Sequence, residues 1–180
     1  MSDNNQHDNT ANGHDPAAGA EQQTAPAVNL RQVFTDNLSV EVANAPQVFI
    51  DQPPFEVNVA IHPDFEAMSI ENHYVARLRI TLTAQGEDKT VYVVETRQCG
   101  VFEIVGFDQA QVHHLLHVYC PITLFPYARE ALSSALLRTG FPPVLLPQFD
   151  FETLYRERLD SLRAQMESEE QAAANGQAAE

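Results

Sequence analysis

Three histidines and a cysteine fall in one short run, His113, His114, His117 and Cys120. His113 and His117 stand one helical turn apart, with Cys120 three residues further on, a spacing that could turn imidazole and thiolate ligands toward a tetrahedral zinc ion. A zinc site, however, needs three or four converging ligands with partners behind them. The interleaved Leu115, Leu116 and Tyr119 fit a packed face better, so the histidines read as structural and no metal is expected. Cys120 beside a histidine could also be a nucleophile, which requires a lowered thiol pKa. It precedes Pro121 among apolar residues instead, the setting of a small buried hydrophobe. A small α+β enzyme using Cys120 and the histidines is therefore the alternative reading, and no catalytic residue is expected. The acid pairs Glu87-Asp88 and Asp150/Glu152 fall in a turn and at a helix start, where carboxylates are solvated or cap. Glu41 and Glu95 differ because each interrupts a strand, which leaves open an exposed strand position or a docking surface for a basic partner. No GxGxxG or GxxxxGK[ST] loop occurs, so nucleotide chemistry is disfavoured and no cofactor is expected.

Composition narrows the partners. The 180 residues carry a formal net charge of -15, which opposes nucleic acid and anionic membrane as partners, because both demand clustered Lys and Arg. Basic or extended chains are favoured. No apolar run approaches the roughly 18 residues of a membrane span. With two cysteines, Cys99 and Cys120, and a polar N-terminus lacking a signal-peptide pattern, a cytoplasmic location with reduced thiols is expected.

One domain positions these residues. Residues 1–29 hold no large apolar run and only acids among their charges, so they read as a disordered acidic tail, with His7 and His14 solvated. The folded domain spans 30–165, and 166–180 reads as a second disordered acidic tail. Strand-like residues from Leu30 to Val42 end at the turn Asn44-Ala45-Pro46, and Val48-Phe49-Ile50 follows as a short apolar patch. Phe55, Val57, Val59 and Ile61 alternate with polar neighbours as a half-buried strand ending at a loop around His62-Pro63. Tyr74 to Thr83 alternates again and turns at Gln85-Gly86-Glu87-Asp88 into a long strand from Thr90 to Val105, with Gly100 as a candidate bulge. The two faces of that last strand are similar in polarity, which suggests a cover on both sides, the second supplied by another subunit.

Asp108 should cap a helix through Val112, Leu115, Leu116 and Tyr119 that ends before Pro121. Pro121 and Pro126 then fit the entry of a new helix with Phe125, Ala128, Leu132 and Ala135 or Leu136 on one face, stopped at Gly140 before Pro142 and Pro143. Phe141 to Leu146 is held extended, and could be plain core or one wall of a peptide groove. A final amphipathic helix runs from Glu152 to Ser168 through Leu154, Tyr155, Leu159 and Leu162. Strands followed by helices indicate an α+β fold, a four-stranded antiparallel sheet with helices packed on one face.

Four segments in order, Asn44-Ala45-Pro46, ETRQCGVF from Glu95, CPITLFPYAREAL from Cys120 and FPPVLLPQFDFETLY from Phe141, resemble the SecB family of bacterial protein-export chaperones. The resemblance spans roughly residues 33 to 159. It implies a cytosolic homotetramer, a dimer of dimers, that works without ATP to hold preproteins unfolded and pass them to the SecA motor. It places the contact for SecA's basic, zinc-containing C-terminal tail at Glu41, Val93 and Glu95. The family's other acidic position there aligns with Asn37, beside Asp36. Val94, Thr96 and Gln98 match the strand linked to subunit assembly. Clients would lie between the helix from Leu124 and the extended segment, on Phe125, Tyr127, Phe141, Val144, Leu146 and Phe149.

Overall fold

Period-two alternation produces four strands in a computed structural model that describes residues 25–87 and 89–177, with side chains described to 169. The strands are β1 (Ala27–Val42), β2 (Glu56–Ala67), β3 (His73–Gln85) and β4 (Thr90–Val105). They form one antiparallel sheet in the order β1-β4-β3-β2. On β3 every even-numbered side chain from Ala76 to Ala84 is buried, and on β4 Tyr92, Val94, Thr96, Gln98, Phe102 and Ile104 follow suit. Residues of opposite parity, among them Arg77, Arg79, Glu95 and Arg97, line the open face.

The helices are α1 (Gln47–Asp51), α2 (Gln109–His114), α3 (Cys120–Thr139) and α4 (Phe151–Gln177). Asp108 caps α2 as expected: its carboxylate accepts from the Gln111 amide at 2.8 Å while the Gln111 side chain accepts from the Asp108 amide at 3.0 Å. The expected break before Pro121 is absent. A π turn, Leu115–Tyr119, joins α2 directly to α3, with the Cys120 amide donating to the Leu115 carbonyl. This widened turn lies just ahead of the proline, so Pro121 opens a renewed α segment in which its missing N–H costs little. Pro121 thus marks a helix start without ending the helix before it, whereas Pro126, also read as part of the entry, lies inside α3. Gly140 stops α3 at φ +90, in the left-handed cap region that glycine adopts without strain.

Other boundaries move for physical reasons. β1 begins at Ala27, inside the stretch read as tail, because Ala27 and Val28 pair with Val105 and Ile104; residues 1–24 lie outside the described residues. The loop anticipated at His62-Pro63 is strand, with Pro63 opposite Leu78. β2 is an edge strand, where a missing N–H can face solvent. Val48-Phe49-Ile50 belongs to the short helix α1 rather than to an irregular patch. α4 continues past Ser168 to Gln177 into the stretch read as a C-terminal tail, since Ala, Gln and Glu are strong helix formers and no proline interrupts them. Asp88, the last residue of the anticipated hairpin turn, lies outside the described residues, though Gly86 still donates to the Lys89 carbonyl at 2.9 Å.

Gly100 is not a bulge. The sheet shifts register between Leu30 and Gln32, between Thr35 and Asn37, and between Ala84 and Gln85, while Gly100 pairs regularly with Val33 and Ala76. Glycine is needed there because α3 descends onto it: a Cβ would lie 2.8 Å from Phe102 Cε2 and 2.9 Å from Leu124 Cδ2. The helical layer therefore closes the even face of β4 within one chain. Burial of Val94, Thr96 and Gln98, at 0%, 0% and 3% exposure, needs no second subunit.

Candidate functional site

Four aromatic residues from three separate parts of the chain converge where α1, β2, β4 and the end of α3 meet. The Gly140 cap turns the chain so that Phe141 reaches Phe49 of α1, with ring centroids 5.2 Å apart. Phe141 also lies 6.0 Å from Phe55 and 4.9 Å from Tyr92, and Phe55 meets Tyr92 edge-on at 5.7 Å. Tyr92 is buried at 1% exposure and forms the floor, whereas Phe49 remains 39% exposed. Beside the cluster opens a cavity of about 710 Å³ lined by Val48, Pro53, Pro54 and Val91, with Asp51 and Lys89. Rigid, half-covered aromatic rings beside an apolar cavity suit apolar side chains of an extended chain.

A cleft also lies where the client groove is expected, on the other flank. The segment from Gly140 to Asp150 has no regular structure and runs along α3, held where Arg129 Nη1 donates to the Leu146 carbonyl at 3.4 Å. Between them a cleft of about 450 Å³ is lined by Pro126, Arg129, Glu130, Ser133, Leu145 and Leu146. The residues assigned to it divide. Phe125 and Leu146 are core, at 5% and 6% exposure, Phe141, Val144 and Phe149 are half-buried, and Tyr127 is open at 48%. Leu145, not Leu146, faces outward at 87%. Sequence reasoning did not single out Phe49, Phe55 or Tyr92 for the site, and took in Leu145 only as part of the extended segment from Phe141 to Leu146. Phe55 and Tyr92 register only as strand residues, and no local pattern links them to Phe141.

The four positions expected to receive SecA are neighbours on the open face of the sheet. Glu41 sits directly opposite Val93, Ser39 opposite Glu95 and Asn37 opposite Arg97. Glu95 is half-buried and accepts from Thr81 at 2.9 Å, and Asp36 pairs with Arg97 at 2.6 Å. Beneath them Thr96 donates to the Asn37 carbonyl at 3.2 Å and Gln98 accepts from Thr35 at 3.0 Å, so these buried polar groups are satisfied inside the chain.

The histidine and cysteine run does not converge on a metal: among the described residues no three His, Cys, Asp or Glu side chains come together for one. His113 and His114 instead meet Tyr155 and Glu152 of α4, and His117 packs on Phe65. Cys120 is fully buried, and burial pushes its thiol up to about 12, so at neutral pH there is almost no thiolate to attack anything. Cys120→Ser should therefore leave client binding by the folded protein within about twofold of native, although a hydroxyl in place of the buried thiol should cost about 1–3 kcal/mol of stability. Loss of binding by a variant that remains folded would refute this and restore a chemical role for the thiol.

Residues 21–161 match the family described as Preprotein translocase subunit SecB, well over half of the chain. The chain belongs to the SecB family. Protein-export protein SecB of Dichelobacter nodosus is 41% identical over 141 residues, covering 77% of this chain and 90% of that protein. Its counterpart in Methylobacillus flagellatus is 39% identical over 160 residues, covering 89% of this chain and 94% of the relative. Among solved structures, a Mycobacterium tuberculosis SecB-like chaperone in complex with a peptide from the HigA1 antitoxin superposes with a TM-score of 0.56 at 18% identity. The match covers 68% of this chain and 90% of that one, and it supports the fold. Three of the four segments that carried the resemblance border these features: Asn44 lines the cavity, Pro126, Arg129 and Glu130 line the cleft, and the stretch from Phe141 supplies a ring of the aromatic cluster and the other wall of the cleft. Among the described residues no helix is long and apolar enough to cross a membrane.

Proposed function

We propose that this SecB-family protein is an ATP-independent export chaperone that holds preproteins unfolded and hands them to the SecA motor in the cytoplasm. The observation that carries the reading is the half-exposed aromatic cluster of Phe49, Phe55, Tyr92 and Phe141 beside an apolar cavity. A holdase must bind many sequences weakly at each point, which aromatic and aliphatic surfaces permit without a fixed hydrogen-bond code. Useful affinity then comes from several such sites on one assembly, a homotetramer built as a dimer of dimers. In that assembly Val94, Thr96 and Gln98 act from beneath, by setting the shape of the sheet that the helical layer rests on. The acidic surface, at -15 per chain, favours basic unfolded clients. Glu41 and Glu95, flanking Val93 and Asn37 on the open face, receive SecA's basic C-terminal tail, away from the clefts that take clients.

The decisive test joins two measurements on one sample. Light scattering should give a tetramer mass, and the same protein should suppress aggregation of a denatured preprotein without ATP. A mass near the 20.0 kDa chain, or no suppression at stoichiometric excess, would refute the proposal. Glu95→Lys should weaken binding of the SecA tail peptide by about tenfold, as reversing an interfacial charge does, with client binding intact. Unchanged titration calorimetry would remove Glu95 from that contact.

A further inference from the structure

The C-terminal helix rests on the body over little more than its first turn. Phe151 is buried against Phe125 and Phe149, with centroids 5.9 and 4.9 Å away, and Leu154 and Tyr155 are half-buried. From Arg156 to Glu169 every side chain except Leu159 is exposed. What Tyr155 rests on is the histidine run. Its ring lies 5.7, 5.4 and 5.2 Å from those of His113, His114 and His117, and its hydroxyl meets His113 Nδ1 at 3.0 Å. The His113 and His117 rings sit tilted at 43° with centroids only 4.1 Å apart, and Phe65 of β2 closes the far side, 4.9 Å from His117.

We propose that this histidine pair is a pH-sensitive latch for the C-terminal helix, closed when His113 and His117 are neutral and opened when both carry a proton. Two cations at that separation repel enough, even when screened as in bulk water, to shift an equilibrium by about fivefold. The charge on His117 would also lose water among Phe65, Tyr155, Leu154 and Pro63, whereas His113 keeps an exposed edge.

Other charged groups act on both sides. Arg158 of α4 disfavours a charge on His117, whereas Asp64 of β2 favours one; His62 borders the same small cavity. Glu152, 2.8 Å from His114 Nε2 and bonded to Arg156 at 3.2 Å, attracts a protonated His114 and so opposes opening. Desolvation holds His117 below the usual imidazole range. Docking strength from this group is therefore complete above the ordinary value near pH 6.5 and declines as pH falls below it. His117 Nδ1 is bonded to the His113 carbonyl at 2.9 Å, so the added proton must go to Nε2. The hydroxyl of Tyr155 can serve either protonation state of His113, which leaves the pair itself as the sensitive part. Opening would strip cover from Phe65 and Tyr155 and free the far end of the extended segment at Phe149. The latch stands whether or not that segment binds clients.

The test is hydrogen exchange on the full-length protein, corrected for intrinsic rates, from about pH 7.5 to about pH 5.5, the window in which histidine titrates. Amides from Thr153 to Arg163 should lose about fivefold or more of their protection while those of β3 keep theirs. His113→Gln with His117→Gln should flatten the response. Should that pair disturb the fold, the isosteric Glu152→Gln at a half-buried position supplies a second arm: without the attraction to His114, the loss at low pH should deepen. Unchanged protection in the native protein, an undiminished response in the histidine pair, or its disappearance in Glu152→Gln would overturn the latch.

Discussion

Replacing Phe49 and Phe141 together with serine should raise the amount of protein needed to keep a denatured preprotein in solution by about tenfold or more. The rings touch at 5.2 Å and Phe141 bridges to both Phe55 and Tyr92, so the pair removes the exposed rim of the cluster and the ring that ties it to the sheet. Buried aromatic anchors commonly contribute about 2 kcal/mol or more each to an interface, and repetition over several subunits multiplies the loss. Phe49 is the better first target because it is 39% exposed, so truncation costs the fold little. Tyr92, at 1%, would confuse a binding defect with an unfolding one. Suppression assays should be paired with the urea midpoint and the mass of each variant. Native suppression by the double variant would move the client site elsewhere, with the cleft at Leu145 the next candidate.

A second large effect is expected where α3 meets the sheet. Leu124→Ala should destabilise the protein by about 2–5 kcal/mol, since Leu124 is fully buried and its loss leaves a void above Gly100. Gly100→Ala should cost about 1–3 kcal/mol for the opposite reason: its new methyl intrudes on Leu124 and Phe102 at under 3.0 Å. Because the second substitution adds atoms near those the first removes, the double variant should be more stable than the sum of the single effects allows. Relief is partial, as Phe102 Cε2 stays 2.8 Å from the added carbon. Urea unfolding at one fixed protein concentration measures the cycle, because assembly would otherwise make stability depend on concentration. Strict additivity would show that helix and strand do not meet as described.

Much of this architecture is written locally. Alternation from Tyr74 to Thr83 marks β3, Asp108 with Gln111 marks the start of α2, and Gly140 marks the end of α3, because each is settled by residues within a few positions. Pro63 and Pro121 mislead for a shared reason. Proline's cost depends on whether its missing N–H was needed, and that is decided by an edge position in one case and a π turn in the other. The cleft beside α3 is legible because Pro142 and Pro143 hold the chain straight next to a helix. The aromatic cluster is not, since Phe49, Phe55, Tyr92 and Phe141 meet only after the sheet has set its register. Likewise the sequence does not say which face of β4 its own helices cover until Leu124 is seen to rest on Gly100 of the even face.

The borders of the sheet carry a final consequence. A protein that handles unfolded chains is in danger of recruiting them as extra strands, an attachment whose backbone bonds would be slow to break. On β2, Pro63 removes a donor from the middle of the border and Asp64 and Glu66 place charges beside it, tied to Arg77. On β1, register shifts leave Arg31 and Asp36 outside the regular pairing, and each is drawn to a partner on β4, Glu103 and Arg97. A chain lying along either border would find an interrupted row of partners. On the proposed reading, captured chains would be left to side-chain contacts in the clefts, which can be surrendered one at a time, so the same protein could hold a chain firmly and still let it go.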